Sequence, residues 1–376
     1  MNLKMRIADK IARLELDEID IDTSKGLDVP PPPELPAPLA EPVPAEPPAQ
    51  EKPVSRRAKA RVVPPDQVSL RNELTRARAV YGEASLVVQG LLIDARLGRP
   101  LEAEKIQPTV AAIASSVFRN PDAMISLFRV KQADKYTFQH SVAVATLLIA
   151  FGRNLEMPQE DVEQIAMGGL LHDIGKVKVP AYLLTKPGKL TEVEFAAMKK
   201  HVEYGGMMLE TATGITQPVL DVVLQHHERL DGSGYPQQLR DGELSVPGQM
   251  AAIVDAYDAM TSDRVYQRLK EPTEALQILM EKSGRLFNRE LVQKFIRGLG
   301  IYPVGSLVKL ESELLAVVIE QRRDDLLRPK IRTIFCTKAE NFVSPKDIDL
   351  AEPGSIDRIV SFESPFRWKI DPRRFL

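Results

Sequence analysis

The sequence predicts an all-α main domain followed by a small β-rich C-terminal appendage. Three observations carry this reading. From about residue 66 to residue 300, apolar residues recur at helical spacing, without the alternation of a strand. All five histidines of the chain fall in or beside those helical segments. After Pro303 the pattern changes to short β-branched runs separated by turn residues.

The elements follow in order. Residues 1–29 hold one candidate amphipathic helix and a short strand at Ile19–Ile21, too little to bury a core of their own. Residues 30–65 are dense in proline, from Pro30–Pro33 to Pro53. Proline removes an amide donor and favours extended polyproline geometry, so this stretch reads as a disordered, semi-rigid linker. Residues 66–302 form the main domain: Leu70, Leu74, Ala77, Val80 and Tyr81 mark one helix, and Val110, Ile113, Ala114 and Val117 another. Asn120-Pro121 and Met157-Pro158 each end one helix, because the residue before proline avoids the α region; new helices are expected from Asp122 and after Pro158. Residues 303–376 form the β-rich region, with strands at 306–310, 314–320 and 331–336 and a turn at Glu311-Ser312-Glu313.

Composition excludes several function classes. A chain of 376 residues, 44% hydrophobic and 27% charged, is a globular domain with appendages. A net charge of −2 leaves no electrostatic footprint for duplex nucleic acid, while a few local cations suffice for a small anion. The single cysteine, Cys336, rules out an intramolecular disulfide and an all-cysteine metal site. The longest apolar run lies between His140 and Arg153 and is too short to span a bilayer. No hydrophobic segment follows the early lysines to make a secretory signal, so a cytoplasmic protein is expected. The periodicity of the helix before Pro100 suits a homodimer face as well as a domain core.

The histidines carry the chemistry. His172 opens His-Asp-Ile-Gly-Lys directly after the apolar run Met167–Leu171, which places a nitrogen ligand beside a carboxylate, Asp173, able to bridge two cations. Lys176 lies one turn from His172 on the same face, where a cation calls for an anion such as a phosphate oxygen. Gly175 would keep that face clear. His226 and His227, as helical neighbours, would point roughly 100° apart and straddle a site. Asp255 follows the apolar run Met250–Val254, where an uncompensated carboxylate is costly. Asp258 reads equally as a metal contact, or as a cap or ion-pair partner of Arg264. Imidazole and carboxylate without thiolate suit Fe, Mn, Zn, Ni or Co rather than Ca or Mg. Two such ions, roughly 3.5–4 Å apart and sharing Asp173 and a hydroxide, would give a nucleophile for phosphate-ester hydrolysis at neutral pH.

Four segments in succession, LLHDIGKVKVP, LLTKPGKL, HHERLDGSGYP and VDAYDAMTSDRVY, resemble the signatures of HD-GYP domains in order and spacing over residues 66–302. The resemblance implies an HD-superfamily helical bundle with a di- or trinuclear metal centre. It implies hydrolysis of cyclic di-GMP to pGpG and/or GMP, which favours motility over biofilm. The expected cofactor is two divalent ions, Fe or Mn before Ni, Co or Zn. By the same resemblance His140, His172, Asp173 and Asp255 would hold one metal, and Asp173 would bridge to a second held by His201, His226 and His227. Lys176 would hold a substrate phosphate, and Arg264 would contact the nucleotide. Tyr235 would stack on a base or pin its loop. Gly232–Pro236 is a suggested docking surface for diguanylate cyclase (GGDEF) proteins.

Three departures refine these expectations. Tyr136 stands where some members carry a glutamate for a third metal, which favours two ions. Arg264-Val265-Tyr266-Gln267 departs from the usual Arg-Pro-Tyr-Arg/Lys, with Arg268 a compensating cation. Ile19–Asp28 resembles the end of a small domain of unknown function that begins some members, and the lack of a recognisable remainder suggests a shortened N-terminus. Two alternatives stay open: a hydrolase of another cyclic dinucleotide or nucleotide phosphate, and a non-catalytic module that binds cyclase partners.

Overall fold

The computed structural model describes residues 68–128, 136–186, 188–262, 270–322 and 325–376. The expectations for residues 1–67, Arg264 and Arg268, and for the side chain of Tyr136, lie outside the described residues.

The helices run α1 (Leu70–Arg96), α2 (Ala103–Arg119), α3 (Pro121–Leu127), α4 (Tyr136–Asn154) and α5 (Gln159–Leu171). A 3-10 turn at Ile174–Lys178 leads to α6 (Ala181–Leu184), α7 (Glu192–Lys199), α8 (His201–Glu210) and α9 (Gln217–Gln225). The series closes with α10 (Val246–Thr261), α11 (Pro272–Lys282) and α12 (Arg289–Leu299). The break at Asn120-Pro121 forms as expected, but α3 starts one residue earlier, at Pro121. Proline suits the first turn, where its missing amide costs nothing, and the Asn120 side chain caps the helix by accepting from the Asp122 amide at 3.1 Å.

One core joins α1, α2 and α3 to the near faces of α4 and α5, through residues such as Ile106, Ile113, Met124 and Ile149. Glu73 of α1 is fully buried in this packing. Its carboxylate accepts from Ser116 Oγ at 2.8 Å and from Arg119 Nε at 2.7 Å, which ties α1 to α2.

The C-terminal region is a five-stranded antiparallel sheet in the order β4-β3-β2-β1-β5. Its strands are β1 (Leu307–Leu310), β2 (Leu314–Glu320), β3 (Lys330–Cys336), β4 (Asn341–Asp349) and β5 (Ile359–Phe362). The first three match the sequence reading; β4 and β5 were not anticipated. Most of β4 is exposed and it contains Pro345, the character of an edge strand rather than an alternating one.

The sheet is more than an appendage. Val308, Leu310, Val318 and Ile331 point into the same core as Tyr257, Leu276 and Phe295 of the helices. On the opposite face Leu307, Leu315, Val317 and Ile334 are covered by Ile370, Trp368 and Phe375. A sheet buried on both faces shares its stability with the helices that hold the site.

Candidate metal centre

Helix ends, rather than helix faces, present most of the histidines. Helix α5 stops at Leu171, so His172 is its C-cap and Asp173 begins the tight turn that follows. A side chain at Gly175 would fall onto the His201 carbonyl and the Gly205 amide. Gly175 therefore lets the start of α8 pack on the turn and brings His201 to Asp173, rather than clearing a face for Lys176. Helix α9 ends at Gln225, which makes His226 its C-cap and leaves His227 beyond it. His226 Nε2 faces His201 Nε2 at 3.4 Å and His227 Nδ1 lies 3.7 Å from Asp255 Oδ2, so each ring reaches the site. Once the helix stops, both turn inward, and ligand atoms of His201, His226 and His227 lie within 4.8 Å of one another.

A second group of the same tightness joins His140 of α4, His172, and Asp255 of α10; a third, His172, Asp173 and His226, links the two. Asp173 touches both sides, with Oδ1 3.5 Å from His201 Nε2 and Oδ2 3.4 Å from His172 Nε2. Asp255 does so as well, with Oδ1 3.2 Å from His140 Nε2 and Oδ2 3.7 Å from His227 Nδ1. The seven side chains expected around two metals are thus brought together.

Hydrogen bonds fix the rings. His172, His201 and His226 donate through Nδ1 to the carbonyls of Gly169, Met198 and Val223, at 2.8, 2.8 and 2.9 Å. Each acceptor lies three residues back, at a helix end where carbonyls lack intrahelical partners. Since a carbonyl only accepts, Nδ1 carries the proton and Nε2 keeps its lone pair. His140 is oriented differently, by Asp258, whose Oδ2 accepts from Nδ1 at 2.6 Å and from Ser262 Oγ at 3.1 Å. Asp258 therefore serves as the carboxylate behind a histidine, a role the sequence did not reveal.

Electrostatics supports a cationic guest. The His201 and His226 Nε2 atoms face each other at 3.4 Å with no proton to share. Burial, with the charge of neighbouring rings, holds His226 well below the usual histidine range, and burial lowers His201 to about 4 and His227 to about 3. Burial lowers His172 too. Burial would also depress His140, but Asp255 and Asp258 outweigh it and raise its pKa. Burial would raise Asp173 and Asp255, yet Lys176 and the surrounding histidines keep the first, and His140 and His227 the second, well below the carboxylate range. Asp173 Oδ1 is buried with no hydrogen-bond partner. Converging lone pairs, two ionised carboxylates and an orphaned oxygen fit divalent cations bound by imidazole and carboxylate.

Lys176 Nζ lies 2.6 Å from Asp173 Oδ2 and is partly exposed, at the edge of the nest. The Gly232–Pro236 loop closes the other edge. A side chain at Gly234 would meet the Glu228 and Arg229 backbone, so only glycine allows the loop to fold back there. Glu228, fully buried, holds the loop by accepting from the amides of Gln237, Gln238 and Leu239 at 2.7, 3.1 and 3.1 Å. Sequence reasoning missed Glu228; an acidic residue directly after the paired histidines and before a turn-rich stretch was the available signal. Tyr235 packs on His227, with ring centroids 4.6 Å apart, and meets Phe195 edge-on at 6.1 Å.

Comparisons with known proteins identify the family. A family model for the HD domain matches residues 124–291, and a model for a domain of unknown function (DUF3391) matches residues 6–106, across the proline-rich stretch and α1. A cyclic di-GMP phosphodiesterase of Pseudomonas aeruginosa is 39% identical over 93% of this chain and 81% of its own length. A cyclic di-GMP phosphodiesterase of Thermotoga maritima is 34% identical over 54% of this chain and 51% of its own length. A 3'3'-cGAMP-specific phosphodiesterase of Vibrio cholerae is 33% identical over 44% of this chain and 32% of its own length. With its histidines and aspartates gathered in one buried nest and this similarity along nearly its whole length, the chain belongs to the HD-GYP family of HD-domain metal-dependent phosphohydrolases.

Proposed function

We propose that this chain hydrolyses cyclic di-GMP to pGpG and/or GMP at a two-metal centre. The observation that carries the reading is the two ligand groups, His201/His226/His227 and His140/His172/Asp255, joined by Asp173 between His172 and His201, with Lys176 at its edge. His140, His172, Asp173 and Asp255 would hold one ion, and Asp173, His201, His226 and His227 the other, with Fe or Mn favoured. Such ions supply positive charge that acidifies water and offsets the charge developing on the phosphate. Lys176 turns from Asp173 to a phosphate oxygen of the substrate, which Arg264 and Arg268 help to hold. Tyr235, fixed against His227, limits how deep a base can enter. The exposed Leu86 and Ile93 of α1, with Leu97 just past its end, support self-association along that helix, and the Gly232–Pro236 loop offers a surface to a GGDEF protein. No helix among the described residues is long and apolar enough to cross a membrane, and we place the enzyme in the cytoplasm.

The test is anaerobic purification, a metal count, and a time course with cyclic di-GMP beside 3'3'-cGAMP and cyclic di-AMP. Two ions per chain and selective loss of cyclic di-GMP are expected. Preferred turnover of 3'3'-cGAMP would support the second reading suggested by the Vibrio relative. Less than one ion per chain, with no turnover of any substrate after Mn or Fe reconstitution, would overturn both.

A further inference from the structure

A cavity of about 780 Å³ opens between α1, the start of α4 and the C-terminal 3-10 turn Pro372–Phe375, on a wall that contains none of the metal-centre residues. Arg71, Arg78, Arg373 and Arg374 line it. Arg71 and Arg78 lie seven residues apart on one face of α1, so both guanidinium groups are presented along the same wall. Among the described residues, only Arg373 of the four is paired in ion-pair geometry, through Nη2 to Asp371 Oδ2 at 2.8 Å and Nε to Asp371 Oδ1 at 2.9 Å. Among the described residues, no carboxylate lies within ion-pair distance of Arg71, Arg78 or Arg374. Among the described residues that line it, four guanidinium groups face one carboxylate side chain, that of Asp371. Like charges gathered around a concave surface repel one another and concentrate positive potential, an arrangement that an anion relieves.

We propose that this cavity is a second ligand site, for a phosphate-bearing small molecule of nucleotide size. The guanidinium fork matches phosphate geometry, and the volume falls in the roughly 300–1,000 Å³ range of small-molecule pockets. Inorganic phosphate is too small to reach across it. Two residues on its wall adjoin the metal centre in sequence or electrostatics. Tyr81 lines the cavity and packs against Phe128, with ring centroids 5.6 Å apart. Its hydroxyl is pushed up to about 12 by burial and then by Asp258, while Arg373 opposes the shift. Tyr81 thus lines the arginine-bearing wall and feels the charge of Asp258, the carboxylate that orients His140. Gln139, also on the wall, directly precedes His140 on α4.

The experiment is calorimetric titration of the metal-loaded full chain with pGpG, GTP and inorganic phosphate in turn. It is repeated on the Arg71→Ala/Arg78→Ala variant and on the Arg71→Lys/Arg78→Lys variant. Arg71 and Arg78 are exposed, so both variants should fold with unchanged metal content and unchanged turnover at low substrate. A nucleotide binding event beyond that at the metal centre is expected in the native chain. It should weaken about a hundredfold in the alanine variant, from two lost charge-assisted contacts, and less in the lysine variant. A single nucleotide event in the native chain, an additional event unchanged in the alanine variant, or binding of inorganic phosphate alone would overturn the proposal. None of these results bears on the metal-centre reading, whose own test is turnover.

Discussion

At the scale of single residues, Asp258 shows how the centre depends on groups that hold no metal. Its carboxylate fixes the His140 ring through a 2.6 Å hydrogen bond. Asp258→Ala should leave the fold intact and weaken metal binding by roughly 10- to 100-fold, the usual consequence of losing such a partner. Metal titration followed by elemental analysis checks this; unchanged affinity would mean that packing alone orients His140. Protonation gives a second expectation. His201 and His227, held at about 4 and about 3, stay neutral in the folded chain, whereas unfolded histidines titrate near about 6.5. Below that pH the unfolded state binds more protons than the native one. Their contribution is therefore fully present above pH ~6.5 and declines as pH falls from there towards about 4. His140 runs the other way, because its pKa is raised and its contribution is lost as pH rises, but it is one ring against the several lowered. The melting temperature of metal-free protein should accordingly fall steadily between pH 7 and 4.5. A flat profile would show that the rings are accessible to water.

At the scale of elements, the meeting of the 3-10 turn with α8 decides whether both histidine groups face one another. Gly175 is the point of contact, and even a methyl group there collides with the His201 carbonyl. Gly175→Ala should push α8 away, cost about 1–3 kcal/mol, and withdraw His201 from Asp173. Metal content should fall towards one ion per chain, with turnover falling alongside. Full content in a destabilised variant would show that His201 is dispensable. The Gly232–Pro236 loop is held in a different way, by three amides converging on the buried Glu228 carboxylate. Backbone donors gathered on one side chain position Tyr235 against His227 without any regular secondary structure.

At the scale of the whole molecule, the sheet and the helices should unfold as one body, because they share one core. Ile331 lies on β3 and is fully buried in the core that also contains Leu276 and Phe295. Ile331→Ala should remove about 2–5 kcal/mol of stability. Near-ultraviolet and far-ultraviolet signals of that variant should still change together in a single transition. Two separated transitions would restore the picture of an independent appendage. The sequence by itself determined the helical character of the main domain, the start of the β-rich region, and the identity of the metal-centre candidates. Helical periodicity and the paired motifs His172-Asp173 and His226-His227 are local properties, readable without knowing what packs against them. Tertiary structure alone decided that Gly175 serves the approach of α8 and that Asp258 stands behind His140. It alone revealed Glu228 as the anchor of the loop and the burial of the sheet on both faces. Those outcomes depend on contacts between segments far apart in the chain, and β4, an exposed edge strand, carries no periodic apolar signal to announce it. The histidines were legible because their chemistry is rare; their arrangement was not, because it is set by where each helix ends.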